Sequence, residues 1–134
     1  MQFKSTFLAL ISLQALHSFE EYAFRLWAVF PPAQFLSGLI SQDLERGFII
    51  ANLSIVAFGV WCYYWPVRQG WPSAVPLAWL WVGIELINGI VHPSWSVLQG
   101  GYTPGVITAV GLFPLALLLA YRLRGRNRSG SPTV

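Results

Sequence analysis

The chain has 134 residues, of which 55% are hydrophobic, 16% aromatic and only 10% charged, with a formal net charge of +3 and a mean hydropathy of +0.56. Soluble domains carry about 25% charged residues, so this composition argues against an ordinary soluble domain and predicts an all-α, polytopic membrane protein. Four apolar runs of about 20 residues each would consume most of the chain, so any chemistry must be built from side chains inside the bundle or at its rim.

The first run predicts a helix over about 3–24. It is expected to be retained rather than cleaved as a secretory signal, because Ala15-Leu16-His17 offers no small-x-small site and the apolar pattern resumes beyond Glu21. Its continuation, Arg25 to Phe30, ends at Pro31-Pro32, which cannot prolong helical hydrogen bonding. The segment Ala33 to Gln42 is short and amphipathic. About ten residues cannot cross a hydrocarbon core about 30 Å thick, so an interfacial or re-entrant segment is expected between helices one and two.

A second membrane helix is predicted over about 44–65. Pro66 closes it, and Trp61, Tyr63, Tyr64, Trp65 and Trp71 form an aromatic belt suited to the headgroup level. The lone Cys62 reads as a small buried hydrophobe. The third helix is predicted over about 74–92, with Pro76 in its first turn and Pro93 as its stop. A connection containing Trp95, Gly100, Gly101 and Tyr102 leads to a fourth helix over about 104–123, started by Pro104. Residues 1–123 would then be a four-helix transmembrane domain, and 124–134 a basic, disordered cytoplasmic tail.

Arg122, Arg124, Arg126 and Arg128 follow the last helix, and the positive-inside rule puts such a cluster in the cytoplasm. With four spans both termini lie there, in a multi-pass protein of the cytoplasmic (inner) membrane. The same arginines suit contact with anionic lipid, and nucleic-acid binding is not expected. The partners expected are the bilayer and other copies of the chain in a homo-oligomer.

Two ionisable clusters interrupt the apolar runs: His17, Glu20 and Glu21 in the first, and Glu85, Asn88 and His92 in the third. Charges at bilayer depth cost about 2.5–3.5 kcal/mol each on insertion scales, so they face the bundle interior and mark function. Residues three and four apart share a helix face, so each cluster is a stripe, and under the four-span topology both stripes sit in the outer half of the membrane. Imidazole and carboxylate at helical spacing suit a divalent metal, either zinc or iron/manganese. The candidate ligands are His17, Glu20, Glu21, Glu85 and His92. The candidate catalytic groups are Glu20, Glu21, Glu85, Asn88 and Tyr102, the last as a hydrogen-bond donor at the mouth. Glu45 and Arg46 read as helix-end charges at the water interface.

Three function classes follow from these clusters: a metal-dependent membrane hydrolase, a small oligomeric transporter or proton/ion-handling subunit, and a structural or partner-binding membrane protein.

The segments LHSFEEY, ELINGIVHP and GGYTPGVIT together resemble the HXXEE-domain family of small bacterial membrane proteins. The family takes its name from the motif that His17, Glu20 and Glu21 match, and Asn88, His92, Tyr102, Pro104 and Gly105 look like its second signature. The resemblance runs from His17 through the fourth helix and leaves out the C-terminal tail. It implies a multi-helix membrane protein with these residues at its functional centre, and it implies no particular substrate.

Overall fold

Among the described residues six α-helices follow one another: α1 (Gln2–Ala23), α2 (Leu26–Val29), α3 (Pro31–Ile40), α4 (Leu44–Cys62), α5 (Ala74–Gln99) and α6 (Val106–Ser129). The structure is a computed structural model that describes residues 2–129, with side-chain surroundings through Gly125. The described residues contain no strand, and the protein is all-α as its composition requires.

The first run does not continue unbroken to the prolines. Arg25 adopts a left-handed conformation with φ 59°, which ends α1 and leaves α2 as a single turn. Phe30 is extended because the residue before a proline is driven out of the helical region. Pro31 and Pro32 then occupy the first turn of α3, where a missing N–H leaves no intrahelical bond unmade. The di-proline therefore starts the short helix rather than merely ending the long one. Ala33 and Ser37 of α3 are buried against α4, whereas Phe35, Leu36, Leu39 and Ile40 are exposed, as suits a helix lying at a membrane surface.

Asp43 caps α4 by accepting from the Arg46 backbone N–H at 3.2 Å. Past Cys62 the helix widens into a π-turn, Tyr63–Val67, that accommodates Pro66. Pro93 does not stop α5, which runs to Gln99 rather than His92. A proline removes one N–H from the ladder without excluding helix on its far side. The true stop is Gly100, a left-handed C-cap at φ 69°. Likewise α6 continues to Ser129, so 124–129 are helical rather than the disordered tail expected; residues 130–134 lie outside the described ones.

α1 packs against both α4 and α6, and α5 lies along α6. The main core unites Phe7 and Leu10 of α1, Ala78 and Trp81 of α5, and Leu112 and Ala116 of α6. Gly89 lets α5 approach α6, since a Cβ there would lie 2.6 Å from that of Phe113. A second apolar cluster of Leu26, Trp27, Ala33 and Phe48 fastens α2 and α3 to α4.

Among the described residues three helices, not the four expected, are long and apolar enough to cross a membrane: Leu44–Val67, Ala74–Gln99 and Val106–Gly125. α1 has the length, 22 residues, but Lys4, Gln14, His17, Glu20 and Glu21 dilute its apolar character. Gln14, His17, Glu20 and Glu21 are all buried, so they turn toward the protein interior.

Gly47 lies under α3, where an added Cβ would collide with the Ser37 carbonyl oxygen, whereas Gly83 has open space around it. Gly47→Ala is expected to destabilise the protein by about 1–3 kcal/mol through overpacking. Gly83→Ala should be neutral or stabilising by up to about 1 kcal/mol through helix propensity. Thermal unfolding of the detergent-solubilised variants compares the two.

Candidate metal centre

The adjacent Glu20 and Glu21 point about 100° apart around α1 and serve different partners. Glu20 turns to the start of α6. Its Oε2 accepts from the Thr108 backbone N–H at 2.9 Å and from the Thr108 hydroxyl at 2.6 Å. Its Oε1 accepts from the Ile107 N–H at 3.2 Å and from the Tyr102 hydroxyl at 2.9 Å. A helix begins with N–H groups that have no intrahelical acceptor and a partial positive charge. Glu20 satisfies two of them from another helix.

Glu21 faces the opposite stripe. Its Oε1 lies 3.3 Å from His17 Nε2 and 3.1 Å from His92 Nε2, and the two imidazoles meet edge to face with centroids 4.7 Å apart. The clusters on α1 and α5 therefore meet in space. The ligating atoms of His17, Glu21 and His92 lie within 4.8 Å of one another, and all three residues are buried.

The outer partners determine which ring nitrogens are free. His92 Nδ1 lies 3.0 Å from the Pro104 carbonyl oxygen, which can only accept, so Nδ1 carries the hydrogen. His17 Nδ1 lies 2.8 Å from Thr108 Oγ1. The Thr108 hydroxyl hydrogen is engaged by Glu20, so this Nδ1 is also the donor. With Nδ1 as the donor, Nε2 is the nitrogen that each ring turns toward the Glu21 carboxylate oxygen. His17 Nε2 is buried without a hydrogen-bond partner. Either a proton on an imidazole or a cation between the three atoms would satisfy this group. Two imidazole nitrogens and one carboxylate oxygen, each imidazole held from behind through Nδ1, are a donor set that can hold a divalent ion with a position left open. Ligands about 2.0–2.1 Å from a tetrahedral zinc lie about 3.3 Å apart, which matches the two nitrogen–oxygen separations.

Glu85 is fully buried on α5, facing α1. Asn88 Nδ2 donates to its Oε2 at 3.2 Å. The Gln14 amide, in the orientation that satisfies both of its ends, donates to Oε1 at 2.9 Å and Oε2 at 3.0 Å and accepts from Ser18 Oγ at 3.2 Å. Glu85 and Asn88 thus stand beside the three-residue group without belonging to it, as do Glu20 and Tyr102 through the α6 cap. Tyr102 lies in the connection before α6; loss of water around its hydroxyl, and then its hydrogen bond to Glu20, push its pKa up to about 12.

Thr108, Gln14 and Ser18 complete this network and were not among the residues expected from the sequence. Gln14 and Ser18 precede Glu21 on α1, and their i, i+4 spacing is the signal that pairs them; nothing local marks Thr108. Gly105 has φ +88°, and a Cβ there would lie 2.8 Å from the His92 ring and 2.9 Å from that of His17. Both imidazoles therefore pack on a bare backbone position.

A model of the HXXEE family, described as proteins of unknown function with an HXXEE motif, matches residues 8–119. The chain belongs to this family. No curated protein and no solved structure matches it. The family motif contributes two residues, His17 and Glu21, to the three-residue group, while its middle Glu20 positions the loop that holds the rings.

Gly105→Ala should destabilise the protein by about 1–3 kcal/mol, from strain at positive φ and collision with both rings. Glu20→Ala should also destabilise, by about 1–3 kcal/mol, by removing the acceptor that four part-buried donors share. Glu20→Gln should lower the Tyr102 pKa, because the phenolate no longer meets a like charge. Alkaline difference spectra of the Glu20→Gln and Tyr102→Phe variants check this: the transition missing from the latter should shift down in the former.

Proposed function

We propose that this chain is an integral membrane protein whose His17, Glu21 and His92 bind one divalent metal ion, and that it acts as a metal-dependent membrane hydrolase. The observation that carries this reading is the convergence of two Nε2 atoms and one carboxylate oxygen at a buried point, both rings held from behind through Nδ1. Zinc suits this donor set, and iron or manganese are the other candidates.

A bound ion would supply Lewis-acid polarisation of a substrate oxygen or of water. The protein groups around it have separate tasks. Asn88, facing the adjoining cavity, orients the polar part of the substrate. Glu85, held by Asn88 and Gln14, is the carboxylate available as general base. Glu20 and Tyr102 are positioning residues that hold the α6 start against the rings.

In the membrane we place α1 as a fourth span beside the three apolar helices, since its buried polar side chains face the protein and not lipid. Lys4, which donates to the Arg68 carbonyl oxygen at 2.7 Å, and Arg122, which bonds Gln2 and Thr6, lie at one end of the bundle. The positive-inside rule assigns that end, both termini and the contact with anionic lipid to the cytoplasmic face of an inner membrane. The metal site then lies toward the outer face.

A second reading, an oligomeric transporter or proton-handling subunit, draws on the same convergence, because a proton on one imidazole would also separate the three acceptors. Elemental analysis of the purified protein distinguishes the two. The parent should hold about one zinc, iron or manganese per chain, lost in His17→Ala and His92→Ala and retained in Tyr102→Phe. Full retention in both histidine variants overturns the assignment, and metal-free, pH-dependent flux in proteoliposomes would favour the second reading.

A further inference from the structure

A cavity of about 430 Å3 opens beside the metal centre, bounded by α1, α2, α3, α4 and α5. Its polar lining is Glu21 and His92, the amides of Gln14, Asn52 and Asn88, and Ser37, of which only Asn52 and Asn88 are partly exposed. Its exposed lining residues are Pro32, Leu36, Ile87 and Val91, all of them apolar. The mouth is therefore mostly apolar, unlike the water-wetted entrance that suits a water-soluble substrate.

The opening has a structural cause. Close packing between the α4 arm and α5 is concentrated at the π-turn, and farther along the two are bridged by Phe58 stacked on Trp81 with centroids 5.9 Å apart. Beyond that bridge the cavity separates the two helices, and α3 packs on α4 at that end, its exposed face carrying Phe35, Leu36, Leu39 and Ile40. The exposed rim of the cavity is carried by α3 (Pro32, Leu36) and by α5 (Ile87, Val91), and α5 is apolar and long enough to span a membrane. The cavity volume falls within the roughly 300–1,000 Å3 of small-molecule sites.

We propose that this cavity binds the polar end of a chain-bearing amphiphile from the bilayer, the apolar chain passing out between α3 and α5 past Leu36, Ile87 and Val91. The inference deepens the metal-site reading, since that reading says what the polar end would meet. The amides of Asn52 and Asn88 offer the hydrogen bonds that a carboxylate, ester or hydroxyl would otherwise lose on leaving the headgroup layer. The chain itself never has to leave an apolar environment.

The test uses the full chain in lipid nanodiscs and palmitic acid carrying a photoactivatable diazirine at mid-chain, with labelled positions mapped by mass spectrometry and the metal content measured on the same samples. Labelling is expected on the cavity segments around Ala51–Ile55 and Ile84–Val91, with competition by excess unlabelled palmitate. Ala51→Trp, which fills the cavity, should abolish the competed label while leaving the metal in place. Leu36→Trp, at an exposed position of the mouth, should do the same with less risk to folding. Labelling spread over outward residues such as Phe35, Leu39 and Ile107, uncompeted and equal in both variants, overturns the proposal. So does a stable dimer whose formation excludes the probe, which would mean that a second copy fills the cleft. Competed cavity labelling in a protein without metal supports the amphiphile site and defeats the metal reading alone; a metal-loaded parent without competed labelling defeats the amphiphile site alone.

Discussion

The site depends on the seat that Glu20 makes for the start of α6. The carboxylate collects hydrogen bonds from two backbone N–H groups, a threonine hydroxyl and a tyrosine hydroxyl. It thereby draws the loop before α6 down onto α1. That loop brings the Pro104 carbonyl and, in the first turn of the helix, the Thr108 hydroxyl, which are the groups that hold His92 and His17 by their Nδ1 atoms. This seat is what fixes the tautomers of the two rings and turns both Nε2 atoms toward the same oxygen. The Glu20 carboxylate and both rings are buried, where an unmade hydrogen bond is costly, so the arrangement is a specific one.

The two glutamates of the motif divide the work between architecture and chemistry. Glu20 neutralises a helix terminus, a task more commonly met by a side chain local to that helix, and this couples α1 to α6 at the level of the site. Glu21, a residue later, is rotated toward α5 and meets the histidine pair. Gly105 completes the arrangement from the loop side, since its positive φ turns the chain into α6 and its missing side chain leaves room for both rings. Glu85, Gln14 and Asn88 form an adjoining hydrogen-bonded layer, of which Gln14 and Asn88 also line the cavity beside the His17–Glu21–His92 group.

Much of this was legible in the chain. The all-α class follows from long apolar runs, and the helical spacing of His17, Glu20, Glu21, Glu85, Asn88 and His92 selects the right two faces. Prolines were harder to read. Pro31 and Pro32 start α3, Pro66 sits in a π-turn, and Pro93 is carried inside α5. A proline fixes its own φ and removes one donor, which is compatible with a first turn, a widened turn or a tolerated interior gap, and tertiary packing selects among them. The count of apolar spans falls from the four expected to three because α1 drops out. Hydropathy averages over all faces of a helix, whereas burial concerns one, so the buried polar groups of α1 lower its average.

By itself the sequence determined that the protein is helical and apolar, that it carries two polar stripes, and that imidazole and carboxylate lie on them at spacings of three and four. Those are properties of composition and of helical periodicity, which need no knowledge of neighbours. Only the tertiary structure decided that the stripes face each other, that Glu21 rather than Glu20 joins the histidines, and that Thr108 and Pro104 orient the rings. It also decided that a cavity opens beside this group, with its exposed rim on α3 and α5. Each of these depends on which helix lies beside which and on the rotation of each about its own axis, and that is set by packing contacts such as Gly89 on Phe113 and Gly47 under Ser37. Such contacts join residues far apart in the chain, and no local pattern records them.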